Sequence, residues 1–333
     1  MNSSTYGFHV DLHPTLDNIH EDALSWVNQN LQQHGIAPIT ELLSIHNMPW
    51  SVVAKVQHEK GVWYFKALAK HITYELGVTT TLDQLYSGRS TVIASDPTFG
   101  YLLLDDLGIN LYDYEPQSEC FSLWKSALAD YSRMQVKIAT TPNELSNILP
   151  NRELESLATL ALPIIENCIG IEPREGENEV TTEDVKWIRN YFSRWADVIA
   201  EVNVLSIPNS LHHGDLHGAN IAMKERPCVF DWGDSSWSHP FVTYFISADA
   251  LQSHLNIDDA SKINELKESY LEPWLEYGSM SELQHTLDLV NKISPLVMLL
   301  SWAHAISNHA DIRNKDWENG LVTWTNEFLR LNK

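Results

Sequence analysis

Leu211–Pro240 reads LHHGDLHGANIAMKERPCVFDWGDSSWSHP and holds the densest set of chemically useful side chains in the chain. His213-Gly214-Asp215 precedes Asn220 and an apolar run, Ile221–Met223. The polar stretch Lys224–Pro227 separates that run from a second, Cys228–Phe230, and Asp231 closes the set. Two short apolar runs around four turn-type residues predict a β-hairpin. With the turn centred between Glu225 and Arg226, Ile221 faces Phe230, Ala222 faces Val229 and Asn220 faces Asp231. Opposed residues have Cβ atoms about 4.5–5.5 Å apart, so an amide oxygen and a carboxylate are expected to meet just past Asp215. Hard oxygen donors of this kind suit one or two magnesium ions.

Upstream, Asp17–His34 carries apolar residues at Ile19, Ala23, Val27 and Leu31, the spacing of an amphipathic helix, with Gly35 as C-cap. Residues 1–16 read as a loose lead-in. Thr40–Ile45 and Ser51–Val56 predict strands around the turn His46–Trp50, and Glu59-Lys60-Gly61 turns into a third strand, Val62–Ala67. Alternation places Val62, Tyr64 and Lys66 on one face of it and Trp63, Phe65 and Ala67 on the other. A lysine there either snorkels from a strand end or has a partner. Glu75, on a helix expected over His71–Tyr86, supplies that partner. Asp96–Gly100 reads as a turn, Tyr101–Leu104 as a buried strand, and Asp105-Asp106-Leu107-Gly108 ends it.

Beyond Ser118 helical spacing dominates, over Ser118–Ile138, Arg152–Cys168, Thr182–Val204 and Ser261–Asn332, with Glu172–Glu179 as an exposed loop. The expected class is α+β: a small antiparallel-sheet part, residues 1–107, and a larger, mainly helical part, residues 108–333. Between two unequal lobes a ligand cleft is expected.

Phosphoryl transfer needs few parts: a lysine on the phosphates, carboxylate and amide ligands for magnesium, and a base near the acceptor hydroxyl. Lys66 with Glu75, Asn220 with Asp231, and Asp215 are one candidate for each. The protein-kinase catalytic loop runs His-Arg-Asp, four residues, Asn. Here, too, four residues separate Asp215 from Asn220, and Asp231-Trp232-Gly233 occupies the place of Asp-Phe-Gly.

His-Gly-Asp-Leu-His-x-x-Asn followed by Val-Phe-Asp-Trp resembles the signature of the aminoglycoside phosphotransferase and choline-kinase-like family. Pro49-Trp50-Ser51, Gly61–Lys66 and Leu102–Gly108 also resemble small-lobe features of its bacterial members, so the resemblance spans roughly residues 35–250. It implies a two-lobed protein-kinase-like fold and phosphorylation of a small-molecule hydroxyl with ATP, or GTP, and Mg2+. By position, Asp215 would be the base, Asn220 and Asp231 the magnesium ligands, and Lys66, braced by Glu75, the holder of the α- and β-phosphates. Backbone groups near Leu104, Asp105 and Asp106 would meet the adenine. Two departures stand out. The His46–Trp50 turn has no Gly-rich phosphate loop, and Ser238-His239-Pro240 replaces the family's Gly-Asp-Pro. That aspartate props the catalytic loop, a role open here to Asp234 or His239.

The competing readings are a transition-metal hydrolase built on His213, Asp215, His217 and Asp231, and a nucleotide-binding pseudokinase without turnover. The first leaves Asn220 and Lys66 without a role.

A formal charge of −22 over 333 residues argues against nucleic acid or an anionic membrane as partner, because phosphate backbones need clustered Lys and Arg. It is compatible with a cationic substrate or simply with solubility. The most apolar stretch, Ile293–Ile306, is interrupted by Pro295, Ser301 and His304 and is shorter than the ~20 residues of a membrane span. Three cysteines without metal-ligand spacing fit reduced thiols. The start MNSSTYGFHVDLHP lacks basic and apolar signal regions, so the cytoplasm is the expected compartment. Trp274, Trp302, Trp317 and Trp324 sit at helical spacing suited to core packing. Asp249, Asp258, Asp259, Glu272 and Glu276 could line an amine site or form a solvated helix face.

Overall fold

The computed structural model describes residues 16–85, 92–141, 144–307 and 315–333. Most of the lead-in, the end of the helix expected over His71–Tyr86 and residues 308–314 lie outside them. The chain divides into two compact units, Met1–Gly108 and Ile109–Lys333.

The first unit opens with helix α1, Leu16–Gln33, and continues with strands β1 (Leu43–Asn47), β2 (Ser51–His58) and β3 (Gly61–Leu68). Helix α2, Tyr74–Leu85, leads to β4 (Val92–Asp96) and β5 (Tyr101–Asp105). The five strands form one antiparallel sheet in the order β1-β2-β3-β5-β4. Alternation along β3 works as the pattern predicts. Trp63, Phe65 and Ala67 pack with Ile19, Ala23, Val27 and Leu31 of α1. Leu68 belongs to a second cluster with Ile72, Leu76 and Leu102. The β1–β2 connection is a tight hairpin in which Met48 and Ser51 exchange backbone bonds of 2.9 and 3.1 Å around Pro49-Trp50.

The second unit carries β6 (Ile109–Asn110), the long helix α3 (Gln117–Thr140), α4 (Leu145–Ile148), α5 (Leu154–Asn167), α6 (Thr182–Phe192) and α7 (Trp195–Val202). Short strands β7 (Ser210–His212), β8 (Ile221–Met223), β9 (Pro227–Val229) and β10 (Ser236–Ser238) follow. Helices α8 (Val242–Leu255), α9 (Ala260–Leu271), α10 (Met280–Ile306) and α11 (Lys315–Asn332) complete it. Strands β6, β8 and β9 form one small sheet, and β7 pairs with β10. Helix α3 buries Cys120, Trp124, Leu128, Tyr131, Met134 and Ile138 along one stripe, the i, i+3/i+4 pattern of a core helix.

Three helical stretches differ from expectation. Thr182–Val204 breaks into α6 and α7 where Ser193 Oγ donates to Asn190 O at 2.7 Å, a local bond that competes with the ladder. Ser261–Asn332 breaks at Pro273 and again at Ser279, which caps α10 in a capping box with Glu282. Helix α8 has no expected counterpart because its apolar residues run all round the axis and leave no polar face to read. Among the described residues α10 is long and apolar enough, by length and composition, to cross a membrane. Its Leu287, Val290, Leu296, Val297 and Leu299 are fully buried within the unit.

Candidate active site

In the first unit, Lys66 lies between Val53 of β2 and Leu102 of β5. Its Nζ donates to Glu75 Oε1 at 2.7 Å, and both residues are buried, Glu75 at 2% exposure. The lysine does not snorkel. Glu75 stands in the first turn of α2, where the helix dipole favours a carboxylate. Two buried charges stabilise a fold little, because desolvation offsets their attraction. A pair kept at that cost is a functional candidate. Leu104 is half-buried on β5, which ends at Asp105; Asp106 then accepts from Gly108 N at 2.9 Å.

In the second unit the hairpin forms, but one residue out of the expected register. Ile221 pairs with Val229, Ala222 with Cys228 and Met223 with Pro227, and Phe230 N donates to Asn220 O at 3.1 Å. The loop is therefore Lys224-Glu225-Arg226. Proline is allowed as the first residue of a strand, so Pro227 joins the ladder instead of the turn. Asn220 opposes Phe230, and the expected pairing of Asn220 with Asp231 is wrong. Asp231 sits one step further on with φ +64°, a left-handed turn that takes it out of strand alternation. It still lies close enough to act electrostatically on both His213 and His217.

Asp215 follows β7 on a tightly fixed loop and is 44% exposed. Asn220 Nδ2 donates to Asp215 O at 2.8 Å and to its Oδ2 at 3.3 Å. That commits the amide nitrogen and leaves the amide oxygen as the acceptor of this side chain. The Asn220 oxygen with the Asp231 carboxylate is a hard-donor set that fits magnesium completed by water and phosphate.

The histidines do not offer a softer site. His213 Nε2 donates to Phe230 O at 2.9 Å and Nδ1 accepts from Asp215 N at 3.2 Å. His217 Nε2 donates to Asp215 Oδ2 at 3.1 Å and Nδ1 accepts from Ala219 N at 3.2 Å. All four ring nitrogens are engaged, and among the described residues no three His, Cys, Asp or Glu side chains are grouped to hold a metal. The transition-metal hydrolase reading loses its ligands.

The loop's support comes from residues that sequence reasoning missed. Thr243 Oγ1, in the first turn of α8, accepts from His213 N at 3.4 Å and lies 2.8 Å from His212 Nδ1. Tyr131 Oη and Gln135 Nε2, one turn apart on α3, each donate to Leu211 O at 2.8 Å. Of the two candidates for this role, His239 instead accepts from Phe241 N at 3.2 Å and shapes the entry to α8. Asp234 contributes its backbone carbonyl, held at 3.2 Å by the buried Arg152. The only legible signal was polar side chains at buried positions of apolar helices, Gln135 and Thr243.

Burial pulls the His213 imidazole down to about 4, against the Phe230 carbonyl and the Asp215 and Asp231 carboxylates. Burial alone takes His239 to about 3. In the unfolded chain both return to about 6.5, so below that pH the unfolded state binds more protons. Stability is thus expected to fall as pH drops from about 6.5 toward 4, by about 1.4 kcal/mol per pH unit for each histidine. Urea midpoints measured across this range check it, with His239→Gln flattening the slope.

The phosphotransferase enzyme family model matches residues 164–257, the segment that contains Asp215, Asn220 and Asp231. That segment is similar to the phosphotransferase enzyme family, and the fold around it is kinase-like. Solved structures extend the likeness to nearly the whole chain. Choline kinase from Cryptosporidium parvum Iowa II superposes with a TM-score of 0.63 at 12% identity, over 94% of this chain and 95% of that one. A choline/ethanolamine kinase family protein from Mesorhizobium loti gives 0.57 at 14% identity, over 94% and 97%. Amicoumacin kinase hAmiN, in complex with AMP-PNP, Ca2+ and Ami, gives 0.52 at 13% identity, over 95% and 96%. At these identities the likeness is one of fold, and it is the α+β, protein-kinase-like class expected from the sequence. No curated protein sequence matches.

Proposed function

We propose that the protein is an ATP- and magnesium-dependent phosphotransferase that phosphorylates a hydroxyl of a small, amine-bearing molecule. The observation that carries the reading is the Asp215 loop. It presents an exposed carboxylate whose Oδ2 is held by Asn220 and His217, with Asp231 close enough to act on the same histidines. In this reading Lys66, oriented by Glu75, holds the α- and β-phosphates, and Asn220 and Asp231 hold the cation. Backbone groups at Leu104, Asp105 and Asp106 receive the adenine. Bound magnesium would neutralise charge on the β- and γ-phosphates. Asp215 accepts the proton of the acceptor hydroxyl as its oxygen takes the γ-phosphoryl group and ADP leaves.

The amine class is supported by a cavity of about 490 Å³ in the second unit, where Glu177, Asp249 and Glu327 meet Phe245 and Trp324. The one arginine there, Arg330, is already held by Glu327 in a two-point contact. Glu177 Oε1 accepts from Thr323 Oγ1 at 2.7 Å, but its Oε2 is buried without a hydrogen-bond partner. Buried carboxylate oxygens are rarely left so, and an ammonium donor would satisfy this one. Aromatic faces beside it suit a cation as well. An aminoglycoside or amino alcohol fits this lining better than an uncharged sugar.

Nucleotide binding tests the cation site. Calorimetry is expected to show ATP bound by wild-type protein with magnesium, and that dependence to vanish in Asp231→Ala. Unchanged magnesium dependence in the variant would remove Asp231 from the site. Repeating the titration with GTP decides the base preference.

A further inference from the structure

Asp215 is a half-exposed carboxylate on a loop, and a carboxylate so placed can rotate and present either oxygen. Two donors reach the same one. His217 Nε2 lies 3.1 Å and Asn220 Nδ2 3.3 Å from Oδ2. The His217 ring is held on every side that matters. Its Nδ1 accepts the Ala219 N–H at 3.2 Å, and in a neutral imidazole that leaves Nε2 as the donor. Its face lies parallel to Tyr112, with centroids 5.5 Å apart and planes 4° apart. Tyr112 is fixed in turn. Its hydroxyl lies near the Gly218 backbone, and its ring packs near Trp124 and His254 at 5.9 and 4.6 Å. Gly218 makes room for the stack, since a Cβ there would lie 2.5 Å from Tyr112 Cδ1. A ring clamped by a backbone N–H, a parallel aromatic and a residue that must be glycine is a built feature.

We infer that His217 is a positioning residue for phosphoryl transfer: it pins Oδ2 of Asp215 so that Oδ1 meets the acceptor hydroxyl, with Tyr112 as its buttress. The inference rests on the phosphotransfer reading above and adds a residue to it. Holding a base in the attack geometry acts on turnover, and a misplacement of about 1 Å costs about 10²-fold. It does not act on nucleotide affinity, which depends on other side chains.

The test uses the full chain, with ADP release measured for ethanolamine, kanamycin and water as acceptors. His217→Leu keeps the bulk and loses the donor; His217→Gln restores an N–H near the position of Nε2. The leucine variant is expected to lose about 10- to 100-fold in kcat, with KM for MgATP and the melting temperature unchanged. The glutamine variant is expected to recover most of that loss, and Tyr112→Leu to resemble His217→Leu. Equal losses in the leucine and glutamine variants, full turnover in the leucine variant, or a KM for MgATP that moves with kcat would each overturn the positioning role. Wild-type protein that releases no ADP with any of the three acceptors would overturn the phosphotransfer reading first, and this inference with it.

Discussion

Asp215→Asn is expected to lower kcat by about 10²–10⁴ while MgATP binds as in the wild type. The substitution keeps the shape of the side chain, so the contacts of its backbone with Asn220 and His213 survive. What it removes is the capacity to take a proton. An amide oxygen is a far weaker base than a carboxylate, and the acceptor hydroxyl would have to lose its proton to water during attack. Lys66, Asn220 and Asp231 are untouched, so the nucleotide should still bind. Single-turnover kinetics beside calorimetry separate the two quantities. Near-wild-type turnover with any acceptor that the wild type phosphorylates would take the base role from Asp215.

Gly214→Ala is expected to cost about 2–6 kcal/mol of stability and to reduce activity in whatever folded protein remains. Gly214 has φ +90°, and a Cβ there would lie 2.2 Å from the Asp234 carbonyl oxygen and 2.6 Å from its carbon. Neither group can yield easily. The carbonyl is held by Arg152, whose guanidinium also reaches Ser301, and the loop is held by Thr243 and by Tyr131, which donates to Leu211 O. Gly170→Ala is the control, with a similar φ of +83° and nothing within 4 Å of the added carbon. It should show only the strain of a left-handed alanine, about 1 kcal/mol. Equal shifts in melting temperature for the two variants would mean that the Asp234 contact is not what demands glycine.

Most of the candidate site was legible because its chemistry is local in sequence. Asp215, Asn220 and Asp231 lie within one loop and one hairpin, and their spacing is enough to bring them forward as candidates. Lys66 and Glu75 were legible for another reason: strand alternation leaves a lysine where it must be buried, and the helix that follows carries the acid. The register of the hairpin was not legible. Whether Pro227 belongs to turn or strand shifts every pair by one, and both assignments satisfy proline's missing N–H. The left-handed Asp231 was also hidden, since nothing in Val-Phe-Asp-Trp announces a positive φ. The props of the loop escaped because they are remote: Gln135 reaches Leu211 across 76 positions and Thr243 reaches His213 across 30. Helix α8 escaped because a helix without a polar face has no period to detect. Strand β4 escaped because only Val92 and Ile93 in it are strong strand formers.

The central claim is phosphoryl transfer to a small-molecule hydroxyl, and the most direct measurement follows the phosphoryl group itself. Purified full-length protein would be incubated with magnesium, ATP and a pool of aminoglycosides, amino alcohols and sugars, and the products resolved by mass spectrometry and phosphorus NMR. A phosphomonoester on an amine-bearing acceptor is predicted, formed with magnesium, absent without it, and absent with Asp215→Asn. Magnesium-dependent ATP binding with no phosphorylated product in the pool, or a product formed equally well by Asp215→Asn, would contradict it.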